Sequence, residues 1–258
     1  MSNLLKLNDA LNTHIRPQCF PVAIKMLEEK DPLPDKTRIP SKNFGKRFAV
    51  CQGIGMVRRY GWTLALGRDD MSCPLGAVAM GFEEPKPYYV EGNLAYEMFN
   101  ECQEAGVHSE EVIDKFPVAK YKYILLAPIT REGIEPDSIV LYGNSAQVMR
   151  LLIAALYKKG GKLTSSFGGR VDCSEIIVTT RQTEQYQVIL PCNGDRVFGL
   201  VQDHEMAFTI PFGLIEDIIT GLEGTHKGGI RYPIPYFMNY EGVFPPKYQK
   251  LTEMFKNS

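Results

Sequence analysis

The stretch NSAQVMRLLIAALYKKGG, residues 144–161, follows directly on DSIVLYG, residues 137–143. The longer segment opens with Asn and Ser, carries apolar residues at helical spacing, and closes on two lysines and two glycines. It reads as a helix with both ends marked. The shorter segment is an apolar run of strand length. A chain that passes without a linker from strand to amphipathic helix must stack the helix on a sheet. The pattern recurs along the chain. Residues 20–28, 62–67, 121–129, 185–191 and 205–211 read as strands. Residues 3–15, 48–61 and 212–224 read as helices, as does an amphipathic run over 93–106, and a short helix begins near Cys73. The expected class is α/β or α+β: mixed sheet(s) with flanking helices. No linker divides residues 1–258, which read as a single compact domain. From Gly228 the chain is rich in Pro and in aromatic residues (Tyr232, Tyr236, Phe237, Tyr240, Phe244), which predicts an irregular tail, 228–258, packed over the body.

Composition excludes some partners. The 29 basic and 30 acidic residues leave a net charge of −1, with no basic stretch suited to a phosphate backbone, so nucleic acid is not expected. The most apolar runs are far too short to cross a membrane, and the N-terminus lacks the apolar core of a signal peptide. The expected compartment is the cytoplasm, where thiols stay reduced. Six cysteines there point to core, metal or catalytic residues rather than disulfides.

Four of the six share a setting. Cys51 lies in AVCQG, Cys73 in SCPLG, Cys173 in VDCSE and Cys192 in PCNGDR, each near the end of a predicted element among small or polar residues. A sulfur at a helix start gains from free backbone N–H groups, whether as thiolate or as metal ligand. Cys-Pro, as at Cys73–Pro74, recurs in iron–sulfur ligation and around thiolate-ligated haem. No C-x-x-C occurs, so any ligands converge from distant parts of the chain. Residues 58–78 also echo residues 158–178: Gly61 and Gly161, Cys73 and Cys173, and Val78 and Val178 fall at one offset. A duplication would make two pseudo-symmetric half-units with Cys73 and Cys173 in equivalent places. Cys19 and Cys102 have plainer contexts and read as structural.

The densest polar stretch is CNGDRVFGLVQDHE, residues 192–205. Asn193, Asp195 and Arg196 form a predicted turn, in which Arg196 would either hold an anion bidentately or pair with Asp195. Asp172 and Glu175 flank Cys173 as proton donors or cap residues. Gln147, on the clearest helix, would orient a ligand or face solvent. There is no G-x-G-x-x-G, P-loop or G-x-S-x-G.

Taken together, CQGIGMVRRYG, SCPLGAVAMGF, NSAQVMRLLIAALYKKGG, DCSE and PCNGDRVFG…HEMAFTIP resemble the prokaryotic domain-of-unknown-function family 169, from about Pro21 to Gly221. The resemblance places that family's recurrent cysteines on Cys51, Cys73, Cys173 and Cys192. Its C-x-G-x-R turn falls on Cys192, Gly194 and Arg196, and its glutamine-bearing helix on Gln147. It implies a reducing cytoplasm of the kind found in anaerobes, and it brings no activity with it.

The leading expectation is a cysteine-ligated metalloprotein with a [4Fe-4S] cluster. Cys73, Cys173 and Cys192 would be ligands and Cys51 the fourth ligand or a neighbouring thiol, with a redox or Lewis-acid role on a small anion held by Arg196. One alternative is a non-enzymatic small-ligand or tetrapyrrole (haem) binder, with Cys73 as axial ligand and helix 144–157 lining the pocket. The other is a cluster-free enzyme with a cysteine nucleophile. The expected partners are a small molecule or a redox protein, with a homodimer as the base-rate assembly.

Overall fold

The computed structural model describes residues 2–234, 242 and 244–256. Six strands form one sheet: β1 (Val22–Leu27), β2 (Leu64–Leu66), β3 (Tyr123–Pro128), β4 (Ser138–Asn144), β5 (Gln187–Ile189) and β6 (Glu205–Pro211). They lie in the order β2-β3-β1-β4-β6-β5, and every pairing is antiparallel. Besides two single-turn helices at Pro40–Asn43 and Pro87–Val90, the helices among the described residues are α1 (Asn3–His14), α2 (Val50–Tyr60), α3 (Pro74–Ala79), α4 (Gln103–Glu111), α5 (Ser145–Ala155), α6 (172–183), α7 (Asn193–Phe198), α8 (Ile215–Lys227) and α9 (Pro246–Lys256). This is the expected mixture of sheet and flanking helices.

Strand side chains alternate between the two faces, and each face has its own core. On the first, Val22, Ile24, Leu66, Leu126 and Tyr142 pack with Val50, Ile54 and Val57 of α2, Ala77 of α3 and Ile176 of α6. On the second, Ala23, Ile139, Leu141 and Phe208 pack with Leu7 and Leu11 of α1, Leu151 of α5 and Leu222 of α8. A fully buried side chain of this kind contributes about 1.5–3 kcal/mol relative to an exposed one. The end signals of α5 and α2 act as the sequence predicts. Asn144 Oδ1 accepts from Gln147 N at 3.0 Å while Gln147 Oε1 accepts from Asn144 N at 2.9 Å, a reciprocal cap. Gly61 closes α2 with a φ of 67°.

Three expectations are corrected. The predicted helix over 93–106 is absent. Short turns fill its place, and α4 starts only at Gln103. Gly92, with a φ of 76°, turns the chain back on itself, and Glu97 (φ 61°) breaks the helical backbone a second time. Second, α6 runs through EIIVTT, a stretch to which the sequence assigned no element. It comprises a turn at Asp172–Ser174, a π-helical stretch at Glu175–Thr179 and a turn at Thr180–Thr183. Ile176, Ile177 and Val178 are buried in the first core, and that packing overrides their low helix propensity. Third, the tail is not irregular throughout, because α9 lies within it. Tyr232 does reach the body, its hydroxyl accepting from Asn144 Nδ2 at 3.3 Å, whereas Tyr236, Phe237 and Tyr240 lie outside the described residues. Segments 58–78 and 158–178 share a cysteine at a helix start, but β2 stands in the first where residues 160–171 form loop in the second. Among the described residues no helix is long and apolar enough to cross a membrane.

Candidate functional site

Packing of α2, α3, α6 and α7 on the first face brings the four singled-out cysteines into one neighbourhood. Cys51 lies in the first turn of α2 and Cys173 in the first turn of α6, while Cys73 and Cys192 are the N-cap residues of α3 and α7. Cys51 and Cys173 lie within electrostatic range of each other and of both Cys73 and Cys192. All are free thiols. Cys51 and Cys173 are buried, whereas Cys73 is half-buried and opens on a cavity of about 400 Å³ lined also by Arg47, Arg68, Ser72 and Glu83.

Two carboxylates stand behind the thiols. The Cys192 backbone N–H donates to Asp172 Oδ2, and its thiol donates to Asp172 Oδ1, both at 3.1 Å. Asp195, in the first turn of α7, accepts from the Tyr142 hydroxyl at 2.8 Å and also bonds to Asp172. The approach is tight. A Cβ on Gly199 would sit 2.0 Å from Asp195 Oδ1, and one on Gly55 2.7 Å from Gly199 O, so glycine at both positions lets α7 settle on α2. Burial, then the neighbouring Asp172 charge, pushes the Asp195 carboxyl well above the usual range. Burial and Asp172 likewise push the Cys192 thiol up to about 11, and burial raises Cys51 and Cys173.

The polar chain continues beyond Asp195. Arg58, 1 % exposed, lies over the Tyr142 ring at 4.3 Å and grips Glu205 bidentately, Nη1 to Oε1 at 2.8 Å and Nη2 to Oε2 at 3.0 Å. Burial pushes Glu205 up, but the Arg58 and Gln202 N–H bonds outweigh it and hold the group below its ordinary value. A connected series therefore runs Cys192, Asp172, Asp195, Tyr142, Arg58, Glu205.

The expected [4Fe-4S] cluster is not supported. Among the described residues no group of three or more His, Cys, Asp or Glu side chains is placed to hold a metal ion. The four thiols are neighbours without a common coordination point. Cys51 donates to Gly194 O at 3.7 Å and Cys192 to Asp172, so these protons are committed elsewhere. Metal ligation would require thiolates, which burial disfavours here. The metal-binding role and the iron–sulfur assignment of Cys51, Cys73, Cys173 and Cys192 fall with that finding. The haem arrangement fails on topology, because α5 packs on the second face of the sheet while Cys73 caps α3, whose Ala77 packs on the first.

Gln147 and Arg196 stand apart from this group. Gln147 Nε2 donates to Ile15 O and Arg16 O, both at 3.0 Å, so its amide ties α1 to α5. Arg196 Nη1 donates to Gln202 O at 2.9 Å and braces the turn after α7, while Asp195 turns inward to Tyr142 instead of pairing with it. Sequence reasoning missed three contributors. Tyr142 was hidden in an apolar strand, Arg58 in a basic pair at the end of a helix, and Arg47 in a stretch with no motif. The one available signal was the polar tyrosine tip in a run that is otherwise apolar.

No solved structure matches this chain. It is 28 % identical over 205 residues to a protein named "Uncharacterized protein MJ0308" from Methanocaldococcus jannaschii, covering 78 % of this chain and 86 % of that one. A match to the family DUF169, described as uncharacterised ArCR, spans residues 10–221. That span contains the four neighbouring cysteines, both inner carboxylates and the Arg58–Glu205 pair, and the chain belongs to this family.

Proposed function

We propose that the protein is a thiol enzyme acting by thiol–disulfide exchange, with Cys73 as its nucleophile. One arrangement supports this reading: Cys73 opens on a cavity, and three further free thiols stand behind it beside a carboxyl pair. Cys73 Sγ, as thiolate, attacks one sulfur of a small disulfide. The S–S bond breaks, and the first half leaves and takes a proton from solvent. A second thiol of the group gives its proton to Asp172 and attacks the mixed disulfide at Cys73, and the second half is released as a thiol. Two electrons have then passed to the substrate, which has become two thiols, and the protein holds an intramolecular disulfide. A low-molecular-weight thiol resets it. Burial keeps the inner thiols protonated, and so unreactive, until a mixed disulfide forms beside them. A reducing compartment such as the cytoplasm maintains the free thiols that this cycle starts from.

The test uses a chain with the exposed Cys102 replaced, Cys102→Ser, and one equivalent of an aromatic disulfide reagent. Two aromatic thiols should be released per reagent molecule, and peptide mapping should find a disulfide that includes Cys73. A stable mixed disulfide with a single thiol released, or full reaction in the added Cys73→Ser variant, would overturn the reading.

A further inference from the structure

We infer that the substrate reaching Cys73 is an anion, held by the exposed Arg47 that shares its cavity; the inference rests on the thiol-exchange reading above. The Cys73 cavity does not stand alone. Arg68, Asp69 and Glu83 line both it and a larger cleft of about 750 Å³, so the two hollows meet at the Arg68–Glu83 ion pair. The charges along this groove do not cancel. Arg68 is held by Glu83 at 2.7 and 3.0 Å, and Lys122 by Glu29. Asp70 is 2 % exposed, and its carboxylate accepts from Ser41 N at 2.8 Å and Gly67 N at 2.9 Å; these neutral donors leave it among the groove's anions. What remains is Arg47, Lys42, Lys86 and Lys120 against Asp69, Asp70 and Glu84, an excess of one cation. Lys86 also lies near Glu83, and Lys120 rests 5.1 Å from the Tyr121 ring.

A local excess of cations on a chain whose net charge is −1 concentrates anions at that place. Arg47 is the cation that decides the matter at the reacting sulfur. It shares the Cys73 cavity and is solvent-exposed, and its planar fork suits a carboxylate or a phosphate equally. The substrate class is therefore a small disulfide bearing a carboxylate or phosphate, with its charged end toward Arg47 and the remainder in the larger cleft.

The experiment compares alkylation of Cys73 by iodoacetate, which is anionic, and by iodoacetamide, which is neutral and nearly the same size. Rates are read peptide by peptide by mass spectrometry on the full chain at low salt. At Cys73 the iodoacetate-to-iodoacetamide rate ratio should exceed that of a cysteine in an unstructured peptide by roughly fivefold. It should fall toward the peptide value in Arg47→Ala, and in the unaltered protein at about 0.5 M salt, where the Debye length is only a few ångströms. Arg47 is exposed, so the substitution leaves the core intact, and the salt series needs no variant. A ratio at or below the peptide's, or one insensitive to both salt and Arg47→Ala, overturns the anionic substrate while leaving thiol exchange standing. If neither reagent modifies Cys73, the thiol-exchange reading fails and takes this inference with it.

Discussion

Two arginines are buried in this molecule to the same degree, one on each face of the sheet, and they have different partners. Arg58, on the first face, meets a carboxylate head-on through two hydrogen bonds to Glu205 and covers the ring of Tyr142. Arg150, 0 % exposed on the second face, has as its hydrogen-bond partners among the described residues the Thr225 hydroxyl at 2.9 Å and the Leu222 carbonyl at 3.5 Å. Burial lowers the Arg150 pKa, and among the described residues no carboxylate offsets the shift. On the first face the charge begins a polar series that ends at the thiols. On the second it joins α5 to α8 and goes no further. A buried charge by itself therefore says little about function, and the groups it leads to say more.

The largest effect expected from this contrast lies at Glu205. Glu205→Ala strands the Arg58 guanidinium in the core and should cost about 3–5 kcal/mol of stability in a denaturant titration. Replacing both partners, Arg58→Met with Glu205→Leu, should recover much of that loss, because the desolvated charge goes with its partner. A double variant no better than Glu205→Ala would show that the pair is not the unit proposed.

Next comes the pH dependence of the first face. Asp195 has a carboxyl held above its unfolded value near 3.9. The folded chain therefore binds that proton more tightly than the unfolded chain does. This contribution is fully present below the unfolded pKa and is lost as pH rises through the folded one. Stability should decline across that window with a slope of up to about 1.4 kcal/mol per pH unit, and Asp195→Asn should flatten it. An identical slope in the variant would remove Asp195 from the account.

The smallest effect belongs to Arg150. With no carboxylate to strand, Arg150→Met should stay within about 1–2 kcal/mol of the unaltered protein in the same titration. A loss as large as that of Glu205→Ala would erase the distinction between the faces.

Much of the fold was legible in the sequence. The ends of α5 and α2 were marked by Asn144, Ser145 and Gly61, residues whose effect reaches only a turn or so along the chain. Helix α6 was not legible, because its Ile176, Ile177, Val178 and Thr179 favour extended backbone until the first core holds them in a helix. The site was legible in part. Cysteines at element ends marked the neighbourhood correctly, yet Asp195 beside Arg196 in sequence reads as a turn pair, and in space it faces Tyr142 and Asp172. The spacing of four cysteines also carries no information on where each thiol proton points, and that geometry is what sets aside the metal centre.

By itself, then, the sequence determined the element types, most of their ends and the family, since periodicity and capping act over a few residues. Only the tertiary structure decided which polar groups became partners. Arg58 and Glu205 are 147 residues apart, and Tyr142 and Asp195 are 53 apart. Contacts at such separations depend on how helices settle on a sheet. Here that depended on two glycines, Gly55 and Gly199, letting α7 approach α2 closely enough to press Asp195 against Tyr142.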